Sequence, residues 1–135
     1  MQEDFKIKIA IAQKLHEENK LNLARIEYKK LLEQFPKNIN ILYLLGTLEI
    51  QSNNFKNGTY YLLKAINLNP NFAPFYNNLA VAYNELSNFK DALLNVNNAI
   101  SIKNDYYEAY NTKANIYFKQ KKIDEAIDSY KKAIS

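Results

Sequence analysis

Residues 54–66, NFKNGTYYLLKAI, are matched 34 positions on by NFKDALLNVNNAI at 88–100, and again by KIDEAIDSYKKAI at 122–134. A self-match at one fixed offset of this size is the mark of stacked supersecondary units. Working outward, the same offset aligns LLEQFPKN with LLKAINLNPN and then with NVNNAISIKND. With starts at Phe5, Ile39, Ala73 and Tyr107, the repeats run 5–38, 39–72, 73–106 and 107–135, three complete and the fourth ending inside its second helix. Inside each repeat, apolar residues recur three and four apart over about fourteen residues, break at a polar turn, and resume for about thirteen more. Each repeat therefore reads as an antiparallel helical hairpin. The predicted helices are 3–18 and 22–34, 39–52 and 55–67, 73–86 and 89–101, and 107–120 and 123–134. No flexible linker interrupts them, so 1–135 reads as a single domain.

Small residues mark where paired helices touch. Ala12, Gly46, Ala80 and Ala114 share the eighth place of the repeat, and Ala24, Gly58, Ala92 and Ala126 share the twentieth. A glycine inside a helix costs up to roughly 1 kcal/mol against alanine, so glycine where other repeats carry alanine indicates close backbone approach. The twenty-seventh place carries Leu31, Ala65, Ala99 and Ala133. Larger residues in neighbouring register, Ile11, Leu45 and Leu79 with Leu15 and Tyr83, are expected to fill the space between helices. Pro74 fits a first helical turn, and Asn104 or Asp105 is a candidate cap for the helix that follows.

The 34-residue spacing, Leu45-Gly46, Leu79-Ala80-x-x-Tyr83, the Ala126 to Tyr130 pair, and Pro36 and Pro70 at the ends of two repeats resemble the tetratricopeptide repeat family. The resemblance covers residues 5–135. It implies an all-α fold, an alpha-alpha superhelix (solenoid) of about four antiparallel helical hairpins, with a concave surface built mostly from the first helix of each. Three places depart from the pattern: Asn104 stands where proline is expected, Lys113 where a large apolar residue is, and Leu31 where a small one is. Lys113 points to a more exposed last hairpin.

The resemblance also implies a function, a non-enzymatic protein-protein interaction or scaffolding module that binds a peptide segment in the concave groove. Carried over place by place, the candidate groove residues are Gln13 in the first repeat, Tyr43 and Thr47 in the second, Asn77 and Asn78 in the third, and Asn111 and Asn115 in the fourth. An amide donates and accepts, so a row of asparagines suits the backbone of an extended peptide, and both Asn77 and Asn111 are expected to be exposed. The lysine, arginine and asparagine pattern with which some family members hold a terminal carboxylate is missing. In the window that starts at the second repeat only Asn78 matches it, and Glu108 would repel an acidic terminus. The alternative reading is a structural, self-associating repeat that acts through its terminal hairpin, with a homo-oligomer as the consequence.

Composition narrows the remaining classes. There is no cysteine, and no apolar run long enough to cross a membrane, so thiol chemistry and membrane insertion are not expected. The first residues lack the basic start and apolar middle of an export signal, which leaves the cytoplasm as the expected location. The net charge is +4, but 17 of the 18 basic residues are lysine, and arginine is the better phosphate fork. Lys119, Lys121 and Lys122 make one short cluster rather than a stripe, so nucleic acid is not an expected partner. His16 is the sole histidine and reads as a surface residue, with no second ligand to share a metal. Asp124 and Asp128 lie one turn apart on an outer helix and read as a solvated face. No catalytic, cofactor-binding or metal-binding residues are predicted.

Overall fold

The computed structural model describes residues 2–135. Among them are eight helices and no strand: α1 (Gln2–Glu17), α2 (Leu21–Gln34), α3 (Ile39–Gln51), α4 (Phe55–Leu68), α5 (Ala73–Glu85), α6 (Phe89–Ile102), α7 (Tyr107–Lys119) and α8 (Ile123–Ile134). Each boundary lies within one residue of the prediction, and the fold is the all-α helical repeat expected. The helices pair as four hairpins, α1 with α2 through α7 with α8.

The hairpins group into two compact units, residues 1–68 and 69–135. In the first unit α2 packs on α3, and one core collects Ile9, Ala12, Ala24, Tyr28 and Leu31 from the first hairpin with Ile41, Leu45 and Leu48 from the second. In the second unit α7 packs on both α5 and α6, and the core joins Ala73, Ala80, Ala92, Val96 and Ala99 to Tyr106, Ala109 and Ile116. Each large apolar side chain so buried contributes about 1.5–3 kcal/mol.

The small-residue places lie where the spacing put them. A Cβ added at Gly58 would stand 2.7 Å from Ile50 Cγ1 and 3.2 Å from the Gly46 carbonyl, and one at Gly46 would stand 3.0 Å from Leu62 Cγ. α3 and α4 thus approach so closely that a side chain at Gly58 would meet Ile50 and press on the Gly46 carbonyl. Ile11 departs from its expected filling role: it is 51% exposed, whereas Leu45 at the same place is fully buried. The difference is positional, because Leu45 shares its core with Ala24, Tyr28 and Leu31 of the hairpin before it. Lys113, at that place in the last hairpin, is half-buried, and its pKa is lowered by burial and by the charge of Lys132.

Every hairpin turns through a residue in the left-handed region: Asn19, Asn53, Ser87 and Lys121, with φ of 61°, 63°, 59° and 64°. The N–H one residue on returns to a carbonyl of the helix just ended, as from Lys20 to Leu15 and from Asn88 to Tyr83, which satisfies a terminal acceptor. Asn38 caps α3 by accepting from the Ile41 N–H, and Pro74 stands in the first turn of α5. Neither Asn104 nor Asp105 caps α7. Tyr106 takes the cap position and has no side-chain cap bond. Asn104 instead offers its carbonyl to the Tyr110 hydroxyl at 3.2 Å, as Pro70 does to Tyr76 at 2.7 Å. That bond needs only a backbone oxygen, so asparagine replaces proline there without losing it.

One charged group is buried in the first unit. Glu49 is 1% exposed and accepts from Arg25 Nε at 2.5 Å and from Asn57 Nδ2 at 3.1 Å. The guanidinium also donates to Ser52 Oγ and Asn22 Oδ1, so the pair joins the first hairpin to the second.

Candidate peptide-binding surface

In the first unit Gln13, Tyr43 and Thr47 are all half-buried. The Thr47 hydroxyl donates to the Tyr43 carbonyl one turn back, at 2.8 Å. Gln13 lines a cleft of about 350 Å³ with His16, Glu17, Asn19, Tyr28, Leu44 and Gln51. His16 is not the free surface residue expected. It is half-buried, its Nδ1 lies 3.0 Å from the Tyr28 hydroxyl, and its Nε2 pairs with the Gln51 side chain, so one imidazole links α1, α2 and α3. Burial, reinforced by the Glu17 carboxylate, pushes the Tyr28 phenol up to about 12.

In the second unit the asparagines divide. Asn111 and Asn115 are exposed and four residues apart on α7, so they share one face. Asn115 Oδ1 accepts from the Tyr130 hydroxyl, which leaves its amide N–H groups to the surface. Asn78 on α5 is half-buried. Asn77 corrects the expectation of an exposed pair: it is 6% exposed, and its Oδ1 is buried with no hydrogen-bond partner. Its place in the repeat, the fifth, is also buried at Ile9 but exposed at Asn111, as follows when the first helix of the next hairpin lies alongside, as α7 does on α5. Thr112 is likewise buried and bonds the Glu108 carbonyl. Lys119 reaches back to donate to the Asn84 carbonyl at the end of α5, at 2.8 Å, where a cation satisfies a terminal acceptor and the helix dipole together.

An orphaned buried acceptor carries its full desolvation cost, about 1–3 kcal/mol. Asn77→Leu is therefore expected to raise unfolding stability by about 1 kcal/mol in urea denaturation, as an apolar residue at the place Ile9 fills. Loss of stability would mean that the amide has a partner.

Among the described residues, no helix is long and apolar enough to cross a membrane, and no group of three or more metal-ligating side chains lies together.

Models of the tetratricopeptide repeat match residues 39–72, 61–93 and 107–135. No curated protein matches the chain. Among solved structures, a crystal structure of MamA protein is 26% identical, with a TM-score of 0.86 over 99% of this chain and 73% of that one. MamA residues 41 to the end from Desulfovibrio magneticus RS-1 superimpose with a TM-score of 0.89 at 14% identity, over 96% of this chain and 73% of that one, which is a likeness of fold.

Proposed function

The chain belongs to the tetratricopeptide repeat family, a family of interaction and scaffold modules, and from that premise we propose that it holds an extended peptide segment of a partner protein, without catalysis, on the exposed faces of its first helices. The observation that carries this reading is the amide face of α7, where Asn111 and Asn115 stand exposed, with the half-buried Asn78 on α5, the helix against which α7 packs. A peptide backbone presents alternating donors and acceptors, and asparagine answers both. Gln13, Tyr43 and Thr47 are the corresponding contacts of the first unit, and Asn77, being buried, does not touch the ligand. The expected partner is protein rather than nucleic acid, and the expected compartment is the cytoplasm.

The test is a displayed random-peptide library selected on the wild-type chain, followed by affinity measurement with Asn78→Ala/Asn111→Ala. Two lost hydrogen bonds should weaken the selected peptides by about ten- to thirtyfold, with circular dichroism checking that the variant folds. Unchanged affinity would remove this face from the binding site.

A second reading is self-association through the terminal hairpin. It is favoured by the apolar side chains that α7 and α8 leave uncovered, Phe118, Ile123, Ile127, Tyr130 and Ile134.

A further inference from the structure

We infer that the cleft at the end of α1 receives the ammonium of a lysine side chain carried by the bound segment, at a position that the second unit fills with a lysine of its own. This deepens the peptide-binding reading above and rests on it.

The repeat register carries the inference. Equivalent residues of the two units lie two repeats of 34, or 68 positions, apart. In the second unit Lys119 donates to the Asn84 carbonyl at 2.8 Å and lies 3.5 Å from the Glu85 carbonyl, the two residues that end α5. Their equivalents in the first unit are Gln51, His16 and Glu17, so α1 ends on the same two carbonyls and the side chain across from them is an amide. Gln51 is engaged elsewhere, since its oxygen pairs with His16 Nε2. The turns are also the same. The His16 carbonyl accepts from the Asn19 N–H as the Asn84 carbonyl does from the Ser87 N–H, each at 3.0 Å. That bond leaves each oxygen a second lone pair, and in the second unit Lys119 takes it. Carbonyls at a helix C-terminus carry partial negative charge, which a cation stabilises.

The cleft suits the rest of a lysine as well. His16 and Glu17 line it, and its volume of about 350 Å³ falls within the range of ligand pockets. The half-buried Leu44 offers apolar cover to a methylene stem, and the Gln13 amide offers a further acceptor. Glu17 supplies the counter-charge. It makes no ion pair among the described residues, whereas Glu18 beside it is held by Lys20 at 3.5 Å. The Glu17 charge is also close enough to act on the buried Tyr28 phenol, which lines the same cleft. Neither lysine nor arginine is among the lining residues, and both nitrogens of the His16 ring are engaged by Tyr28 and Gln51. Lysine rather than arginine follows from the precedent in the second unit, where one compact ammonium serves two carbonyls.

The test uses the full chain and the peptides selected on it from a displayed random library. These are expected to share one lysine, and its replacement by alanine in the peptide should weaken binding to the wild type at least about tenfold. Gln51→Lys sets an ammonium where Lys119 carries one in the second unit, and Glu17→Gln removes the counter-charge. On either variant the same replacement in the peptide should cost about threefold or less. Circular dichroism checks that each variant folds. Gln51→Lys gives up the His16 contact, so Glu17→Gln, at an exposed side chain, keeps the test decisive should the first not fold. Selected peptides that share no lysine, or a lysine whose loss costs as much on the variants as on the wild type, overturn the cation site. The groove reading then still stands if Asn78→Ala/Asn111→Ala weakens those peptides. A library that yields no binder to the folded wild type overturns both.

Discussion

Gly46→Leu is expected to lower the unfolding free energy by about 1–3 kcal/mol, the loss typical of overpacking a close helix contact. The first carbon of any side chain there meets Leu62 Cγ at 3.0 Å and Leu62 Cδ2 at 3.3 Å, so a branched chain must push α4 away or drive Leu62 off its rotamer. Leu62 is itself fully buried and has no space to yield into. Gly58→Ala should cost less but still register. Its methyl lies 2.7 Å from Ile50 Cγ1, which outweighs the helix propensity gained. Urea unfolding followed by circular dichroism measures both. Gly46→Leu at wild-type stability would mean that places 8 and 20 are not the contact between paired helices, and the repeat register would fall with it.

Those two glycines explain why the hairpins were legible in the sequence. An alternation of Ala and Gly at fixed offsets reports backbone proximity directly, and the 3.6-residue apolar pattern reports which faces meet, so helix limits followed to within a residue. What the pattern could not report was cover supplied by a neighbouring hairpin. Asn77 and Asn111 share the fifth place and the same side chain, yet one is buried and the other exposed, because only the first has a hairpin after it in its unit. Ile11 and Leu45 differ for the converse reason. His16 looked solvated because its partners, Tyr28 and Gln51, lie 12 and 35 residues away, beyond any helical spacing. The left-handed turn residue was hidden too. It is Asn twice, then Ser, then Lys, without the glycine that usually marks such a place. Which amides of the candidate surface reach solvent depends on stacking, which no single repeat records.

Stacking also makes Glu49 the side chain whose truncation should cost most. Glu49→Ala removes the carboxylate that faces Arg25 Nε and Asn57 Nδ2, leaving a guanidinium that is 17% exposed without its counter-charge. Breaking a buried pair from one side costs about 3–5 kcal/mol, much of it the uncompensated charge left behind. Removing both charges should behave differently. Arg25→Leu/Glu49→Leu is expected to match the wild type or to exceed it by about 1–4 kcal/mol, because an apolar pair avoids the desolvation of two ions. The chain itself supplies the precedent, with Leu15 at the place of Glu49 and Leu93 and Ile127 at the place of Arg25. A double-mutant cycle in urea separates the outcomes: a coupling near zero would mean that water already screens the pair. A large coupling with a stable double variant would identify the pair as a device of order rather than of strength. In any other stacking order Arg25 would lie against Leu15, Tyr83 or Tyr117 and lose its carboxylate, so the ion pair admits only the second hairpin after the first.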